Sequence, residues 1–398
     1  MNGTAAARPR VLVVFGTRPE AIKLAPVVQE LEASPLVDCT VVVTGQHRAM
    51  LDGVNRLFGI RPARDLDLVR HRPDLAGITS GVVEGIGRVV SELRPDLVVV
   101  QGDTTTVFAA ALAAFYAQVP VAHVEAGLRT GRRYDPYPEE INRRLTTALT
   151  VLHLAPTPAA CQNLLAEGIA RQDVVVTGNT VIDALLDVVS RDLPLVVPEL
   201  APVLEHERTI LVTSHRRESW GAPMRRTAGA VRALAERFPD VLVVLPAHAN
   251  PGVRDVLLPP LHGLANVLVT EPLEYSDLAR VMARSTLVIT DSGGIQEEAP
   301  ALGKPVLVLR ETTERPEAVA AGTVRLVGTD PARILHEATR LLTDAAAYEA
   351  MARAVNPYGD GLARFRVVRA IEHLLGLGPA PEQFVPVTLP SRAVRSAA

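Results

Sequence analysis

Short runs rich in Val, Ile and Leu alternate along the chain with longer stretches whose apolar residues recur at helical spacing. The first series of runs falls at 10–15, 40–44, 96–101, 119–123, 150–155 and 174–177. A second series falls at 208–213, 241–245, 266–269, 286–290, 305–309 and 324–327. Continuous apolar runs of this length, each followed by an amphipathic segment, predict parallel strands covered on both faces by crossover helices. The expected fold is therefore α/β, with two Rossmann-like domains facing across a cleft. We place an N-terminal domain over 9–180 and a C-terminal domain over 181–358. After Asn356-Pro357-Tyr358-Gly359, the amphipathic segment Leu362 to Leu375 predicts a helix within 360–376 that returns to the first domain. Pro194, Pro198 and Pro202 mark 192–202 as a boundary between the halves, because proline is poorly tolerated inside helices and central strands. The covalent crossover is expected near Gly178 to Leu186. Pro379, Pro381, Pro386 and Pro390 predict a disordered tail over 377–398, and the first eight residues are expected to be loosely held.

Composition narrows the class. A chain of 398 residues exceeds what one hydrophobic core organises, in keeping with two domains. With 48% hydrophobic and 21% charged residues it reads as globular, and no apolar run approaches the length of a bilayer span. The N-terminal MNGTAAARPR lacks the apolar stretch of a secretory signal, and Cys39 and Cys161 cannot form a disulfide framework. A cytoplasmic location and no membrane partner are expected. The net charge of -3, with acids and bases interspersed, gives no reason to expect a nucleic-acid partner.

In doubly wound sheets, ligands bind outside the carboxyl ends of the strands, so the residues that follow each apolar run carry the functional signal. The run at 286–290 passes without a linker into DSGGIQEE, Asp291 to Glu298. Ser292, Gly293 and Gly294 would present backbone N–H groups at the positive end of a helix, with no Cβ to obstruct a phosphate. Glu297 or Glu298 would then accept from ribose hydroxyls. The plainer alternative is an ordinary strand-to-helix turn capped by Asp or Ser. Following the first run, GTRPE and Lys23 supply Gly16 for a tight turn and the cations Arg18 and Lys23. The G-x-G-x-x-G spacing of a dinucleotide site is missing, which disfavours a nicotinamide dehydrogenase. Arg18 suits a diphosphate or a transition-state charge better than it suits a helix start, where the macrodipole opposes a cation.

Three acids also follow strand ends or begin helices: Asp103 in QGDTTT, Glu125 in HVEAGLR, and Glu139 in PEEINRR. Singly, Asp103 reads as a cap, Glu125 as a partner for Arg129, and Glu139 and Glu140 as i,i+4 partners of Arg143 and Arg144. Together, beside a diphosphate site, they resemble acid/base machinery, since burial and mutual repulsion can bring a carboxyl toward neutral pH. His215 and Arg216 in TSHRRES, and His248 in PAHANP, lie after runs of the second series. No His-x-x-His or cysteine cluster accompanies them, so proton transfer or stabilisation of a leaving phosphate is expected of these histidines rather than metal binding. Arg315 in ETTERPEA is either a further cation near the diphosphate or a surface loop residue.

Taken in order, GTRPEAIKLAPV, QGDTTT, HVEAGLRTG, PEEINR, TGNTVIDALL, the His-Arg-Arg-Glu segment, DSGGIQEEAPALGKPVLVLRETTERPEA, GTVRLVGTD and NPYGDG closely resemble the non-hydrolysing UDP-N-acetylglucosamine 2-epimerase family. The resemblance runs from about residue 10 to 376. It implies a two-domain fold like that of GT-B glycosyltransferases, interconversion of UDP-GlcNAc and UDP-ManNAc, no cofactor, no metal, and a homodimer. The implied chemistry removes the C2 proton as UDP leaves C1, giving 2-acetamidoglucal, then adds UDP back with a proton on the opposite face. Position by position, Asp103, Glu125, Glu139 and His215 correspond to the family's catalytic residues. Arg18, Lys23, Arg143, His248, Ser292, Gly293, Gly294, Glu298 and Arg315 correspond to its nucleotide-sugar contacts, which selects Glu298 over Glu297 for the ribose.

Many bacterial members carry a second, activating UDP-GlcNAc site, and Gln46, Arg72 and Arg216 are the candidates for it here. Two departures accompany them: Ala49 stands where related chains often have Gln, and Arg72-Pro73-Asp74 replaces a more usual polar run. Leu273 and Leu278 stand where some members present Gln or an aromatic to the uracil region, leaving backbone groups for that role. The competing expectations are a hydrolysing epimerase that releases ManNAc and UDP, a GT-B glycosyltransferase, and a nucleotide-sugar-binding protein without turnover.

Overall fold

The structure is a computed structural model that describes residues 7–45, 48–68, 74–216 and 220–386. In chain order its first half contains β1 (Arg10–Phe15), α1 (Arg18–Ala33), β2 (Asp38–Val43), α2 (Arg48–Phe58), β3 (Arg64–Asp65), α3 (Leu75–Leu93), β4 (Leu97–Gln101), α4 (Thr105–Tyr116), β5 (Val121–Val124), α5 (Glu139–Leu149), β6 (Leu152–Ala155), α6 (Pro158–Ala166), β7 (Val174–Val176) and α7 (Thr180–Ser190). There follow α8 (Ala201–Glu205), β8 (Thr209–Thr213), α9 (Ala222–Arg237), β9 (Leu242–Pro246), α10 (Pro251–Leu257), β10 (Val267–Thr270), α11 (Tyr275–Arg284), β11 (Leu287–Thr290), α12 (Gly293–Ala301), β12 (Val306–Val308), α13 (Pro316–Ala321), β13 (Val324–Leu326), α14 (Pro331–Thr343), α15 (Ala345–Ala352) and α16 (Ala363–Leu374). Each apolar run of the sequence overlaps a strand. Among the described residues, only the strand β3, two exposed residues with no apolar run, goes unannounced.

Two compact units result. The first unit runs to Ala184 and resumes over Tyr358–Val385; the second holds Leu185–Pro357. The division falls inside α7, not in the proline-rich segment 192–202. That segment is tied to the second unit, because Val196 N–H and Val197 N–H donate to the Asp277 carboxylate of α11 at 3.0 and 2.9 Å.

The first unit is built on a seven-stranded parallel sheet in the order β3-β2-β1-β4-β5-β6-β7. Val98 and Val100 of β4 pack with Leu12 and Val14 of β1 against Ile86 and Val90 of α3, and all are nearly or fully buried. Burial of each such side chain stabilises the sheet by about 1.5–3 kcal/mol, which is why an uninterrupted Val/Leu run is needed. The helix α16 belongs to this unit. Its first N–H groups, on Ala363 and Arg364, donate to buried Asp183 at 3.2 and 2.9 Å, and Ser34 at the end of α1 donates to Glu372 at 2.7 Å.

Part of the expected tail is also packed. Phe384 is 3% exposed, in a pocket with Cys161, Leu164 and Val176. Its N–H donates to the Val176 carbonyl at 2.7 Å, while Val176 N–H donates to Gln383 Oε1 at 2.7 Å. The flanking prolines hid this, since an aromatic with an apolar socket overrides a loop-like composition. The remainder of the tail, 387–398, lies outside the described residues.

The second unit carries a six-stranded parallel sheet in the order β10-β9-β8-β11-β12-β13. In both sheets the chain works outward from one strand and then crosses back to its other side, so strand order reverses between β1 and β4 and between β8 and β11. Such switch points open a crevice at the carboxyl ends of the strands. Among the described residues no helix is long and apolar enough to cross a membrane.

Candidate active site

The first unit gathers its polar groups at the ends of β1, β4 and β5. Gly16 and Thr17 turn β1 into α1, and Glu20 in the first turn of α1 accepts from their N–H groups at 2.6 and 3.1 Å. The same carboxylate accepts from the Thr104 hydroxyl at 2.5 Å, joining the β1 turn to the β4 turn across the switch point. Burial pushes the Glu20 carboxyl above its ordinary pKa, against the pull of these donors.

Glu125 follows β5 in a left-handed conformation, φ +65°, that costs a non-glycine residue about 1–2 kcal/mol. Its carboxylate is correspondingly well held. Lys23 Nζ donates to Oε1 at 2.5 Å and to Oε2 at 2.7 Å, Asn179 Nδ2 donates to Oε1 at 3.0 Å, and Gln101 Nε2 donates to Oε2. These partners come from α1, from the turn after β7 and from the end of β4. Arg129, the i+4 partner suggested by sequence, turns instead to Glu167, with Nε and Nη2 each 2.8 Å from a carboxylate oxygen.

Asp103 follows β4, whose Gln101 is in register with Val124 of β5, so Asp103 and Glu125 leave the ends of neighbouring strands. Arg143 of α5 places Nε 2.9 Å and Nη2 2.7 Å from Asp103 Oδ2, and Asn142 donates to the Asp103 carbonyl at 3.0 Å. Arg143 is 6% exposed and also reaches Glu140 at 3.2 Å. Burial would raise the Glu140 carboxyl, but the N–H groups of Thr130 and Gly131, with Arg143, hold it below its ordinary range. Glu139 is half-buried in the first turn of α5, where the helix dipole favours an acid. Arg18 is half-buried at the first position of α1. Beneath these groups His123 donates through Nε2 to the Gly102 carbonyl at 2.7 Å, and burial drives its pKa down to about 4.

The second unit gathers its groups at the ends of β8 and β11. Asp291 follows β11 and is fully buried. Its Oδ2 accepts from the N–H groups of His215 and Arg216, at 2.8 and 3.0 Å, and from the Ser214 hydroxyl at 3.2 Å. His215 Nδ1 lies 3.0 Å from Oδ1. Burial raises the Asp291 carboxyl, yet His215 and the backbone donors outweigh it and leave the pKa below its ordinary value. His248, after β9, stacks its ring on that of His215 with centroids 6.4 Å apart and planes 14° apart, and its Nδ1 accepts from Asn250 N–H at 3.1 Å.

Ser292 precedes α12, and Gly293 and Gly294 open it. Two guanidiniums approach this helix start. A Cβ on Gly293 would lie 3.6 Å from Arg216 Nη2 and 3.9 Å from Arg315 Nη2, so the glycine leaves a gap lined by cations and helix N–H groups. Arg216, the candidate for an activating site, lies beside this helix start, where its Nε donates to the Asp291 carbonyl at 3.0 Å. Arg315 is 9% exposed and forms an ion pair with buried Glu297. The neighbouring Glu298 accepts from the Tyr275 hydroxyl at 2.9 Å. The arrangement suits an anion at α12 with a hydroxyl-bearing group one turn along. Gln46 and Arg72 lie outside the described residues.

Sequence reasoning singled out Glu125 but not Gln101 and Asn179, which hold it, nor Asp291 as more than a cap. Gln101 ends an apolar run, and Asn179 and Asp291 follow one, so the strand-end rule contained the signal.

A family model described as UDP-N-acetylglucosamine 2-epimerase matches residues 29–372. The UDP-N-acetylglucosamine 2-epimerase of Escherichia coli (strain K12) is 50% identical over 373 residues, covering 92% of this chain and 98% of its own. Among solved structures, Neisseria meningitidis UDP-GlcNAc 2-epimerase bound to UDP-GlcNAc is 46% identical with a TM-score of 0.83, over 92% of this chain and all of that one. The co-structure of S. aureus MnaA with UDP has a TM-score of 0.86 at 44% identity, over 95% of this chain and 100% of that one. With parallel Rossmann-like sheets in both units and this agreement along nearly its whole length, the chain belongs to the UDP-N-acetylglucosamine 2-epimerase family.

Proposed function

We propose that the protein interconverts UDP-GlcNAc and UDP-ManNAc by inverting C2, through elimination of UDP and its re-addition to 2-acetamidoglucal, without a cofactor. The observation that carries the proposal is the presence in one chain of donor-held strand-end carboxylates and an arginine-lined helix start. The family relatives named above that bind UDP-GlcNAc or UDP support the choice of nucleotide.

The chemistry explains why both sets of groups are needed. A C2–H bond with no adjacent carbonyl is barely acidic, so proton removal has to be coupled to departure of a leaving group. As the C2 proton passes to a base, the C2–H electrons form the C1=C2 double bond and the C1–O bond electrons leave with UDP. The step is redox-neutral. Return of UDP oxygen to C1, with a proton delivered to the other face of C2, completes inversion. Arg216, Arg315 and the N–H groups at Gly293 and Gly294 take the diphosphate and its growing charge, with His215 and His248 beside them. Glu298 takes the ribose. Asp103, Glu125 and Glu139 divide proton removal, proton return and stabilisation of positive charge at C1, while Lys23, Arg18 and Arg143 hold these acids and the substrate in position. The homodimer and cytoplasmic location implied by the sequence resemblance belong to the same proposal.

Incubation with UDP-GlcNAc in deuterated water, followed by NMR, tests it. UDP-ManNAc carrying deuterium at C2 is expected. Accumulation of free ManNAc with UDP would mean hydrolysis instead. Sugar transfer to an acceptor without deuterium at C2 would mean a transferase, and UDP binding with no exchange at C2 would mean a binding protein.

A further inference from the structure

The arginines at the start of α12 already have an anion of the protein's own. Glu314, in the loop before α13, places Oε1 3.6 Å from Arg216 Nη1 and 3.7 Å from Arg310 Nη2, and Oε2 3.7 Å from Arg315 Nη1. Arg216 and Arg315 are the two residues whose other guanidinium nitrogens flank Gly293. One carboxylate therefore sits among three cations at the edge of the gap that the glycine leaves.

These contacts differ in kind from the others in the cradle. All three exceed hydrogen-bond length, so charge rather than directed bonding holds the Glu314 carboxylate, while Arg315 Nη1 donates to the Glu314 carbonyl at 3.4 Å. By contrast, Arg216 Nε reaches the Asp291 carbonyl at 3.0 Å and Arg315 is seated on Glu297. The Glu314 side chain keeps 20% of its surface exposed, against 2% for Glu297, so it has a route into solvent that Glu297 lacks. A diphosphate entering with Glu314 in place would meet its like charge among the three guanidiniums.

We propose that Glu314 is a specificity-determining internal anion that competes with the nucleotide diphosphate for Arg216, Arg310 and Arg315. An anion is admitted only if it engages these guanidiniums better than a loosely held carboxylate does, which a multiply charged diphosphate can and a simple carboxylate cannot. The same competition speeds release, because Glu314 re-pairs as UDP leaves. This inference rests on the assignment of the cradle to the diphosphate of UDP.

Calorimetric titration of the full chain and of E314Q with UDP, pyrophosphate and uridine tests both ideas separately. Glutamine keeps the shape and removes the charge. E314Q is expected to bind UDP and pyrophosphate about five- to tenfold more tightly, the gain expected from relieving three partly exposed ion pairs, with uridine unchanged. E311Q removes a nearby charge from the same loop and should leave UDP affinity as in wild type. Unchanged or weaker UDP and pyrophosphate binding by an E314Q protein with native circular dichroism would overturn the inference, since Glu314 would then be positioning the arginines. Equal tightening by E311Q would overturn it too, by showing a general field effect. Wild-type protein that binds pyrophosphate but not UDP would count against the nucleotide assignment alone, leaving the pyrophosphate comparison to judge Glu314. Binding of neither ligand would overturn both.

Discussion

Replacing Glu125 by Gln separates structural from chemical roles at the centre of the first unit. In the native protein four donor contacts converge on this carboxylate: two from Lys23 Nζ at 2.5 and 2.7 Å, one from Asn179 at 3.0 Å and one from Gln101. Glutamine offers one acceptor oxygen, and its NH₂ must face Lys23 together with one of the amide donors. The ion pair is mostly buried, with Lys23 and Glu125 side chains 16% and 6% exposed. Removing one member of a fully buried pair costs about 3–5 kcal/mol, and the residual water access of Lys23 brings the expectation for E125Q just below that range, to about 2–3 kcal/mol. K23M removes the stranded cation, so K23M/E125Q should regain at least half of that loss. Urea unfolding followed by far-UV circular dichroism reads the change. The chain's one tryptophan, Trp220, lies in the second unit and supplies a fluorescence transition that should move less. Turnover should fall about a hundredfold or more in both the single and the double variant, because restored stability does not restore a carboxylate. Stability of E125Q within about 0.5 kcal/mol of wild type would refute the structural half, since that is the range of an ordinary surface substitution. Near-native turnover by the double variant would refute the chemical half.

Stability should also depend on pH with opposed contributions. Burial lowers His123 and His153 from 6.5 to about 4, so the unfolded chain binds more protons between those values. Each histidine should therefore remove stability as pH falls through that window, about 3 kcal/mol by its lower end. Burial raises Asp183 from 3.8 to about 6, so its contribution is full below 3.8 and is lost as pH rises toward 6. Urea midpoints between pH 7.5 and 4.5 should drop less steeply in H153N than in wild type, and D183N should gain on wild type as pH rises; parallel curves would contradict both. Two glycines should respond in opposite ways to alanine. In G16A the new Cβ would lie 2.1 Å from Thr44 Oγ1, so a loss of about 1–3 kcal/mol is expected in the same unfolding assay. In G293A it finds ordinary contact distances of 3.6 and 3.9 Å, so folding should be retained while UDP affinity measured by calorimetry falls. A stable G16A, or a G293A that binds UDP normally, would count against these placements.

The strands were legible because a strand buried on both faces has to be apolar at every position. What remained hidden depends on strand order. Lys23, Gln101 and Asn179 meet at Glu125 only because β1, β4, β5 and β7 end at the same edge of one sheet, and no local pattern links residues so far apart. Local pairing rules failed at the same point: the turn at Glu125, with its positive φ, delivers the carboxylate to Lys23 and leaves Arg129 to Glu167. Glu297 and Glu298 could not be told apart by spacing alone. Adjacent helical residues point about 100° apart, and it is Arg315 on one side and Tyr275 on the other that give them different partners. A shared device in the two units was also invisible, because its members look like helix caps. At the β1/β4 switch point Glu20 binds N–H groups after β1 and the hydroxyl of Thr104 after β4. At the β8/β11 switch point Asp291, after β11, binds N–H groups after β8. Strands that diverge at a switch point leave backbone donors without ladder partners, and a buried carboxylate satisfies several at once. In each unit the loops pinned this way carry the residues assigned to chemistry, Asp103 in the first and His215, Arg216 and Gly293 in the second, so the buried acids fix the geometry without being required to touch the substrate.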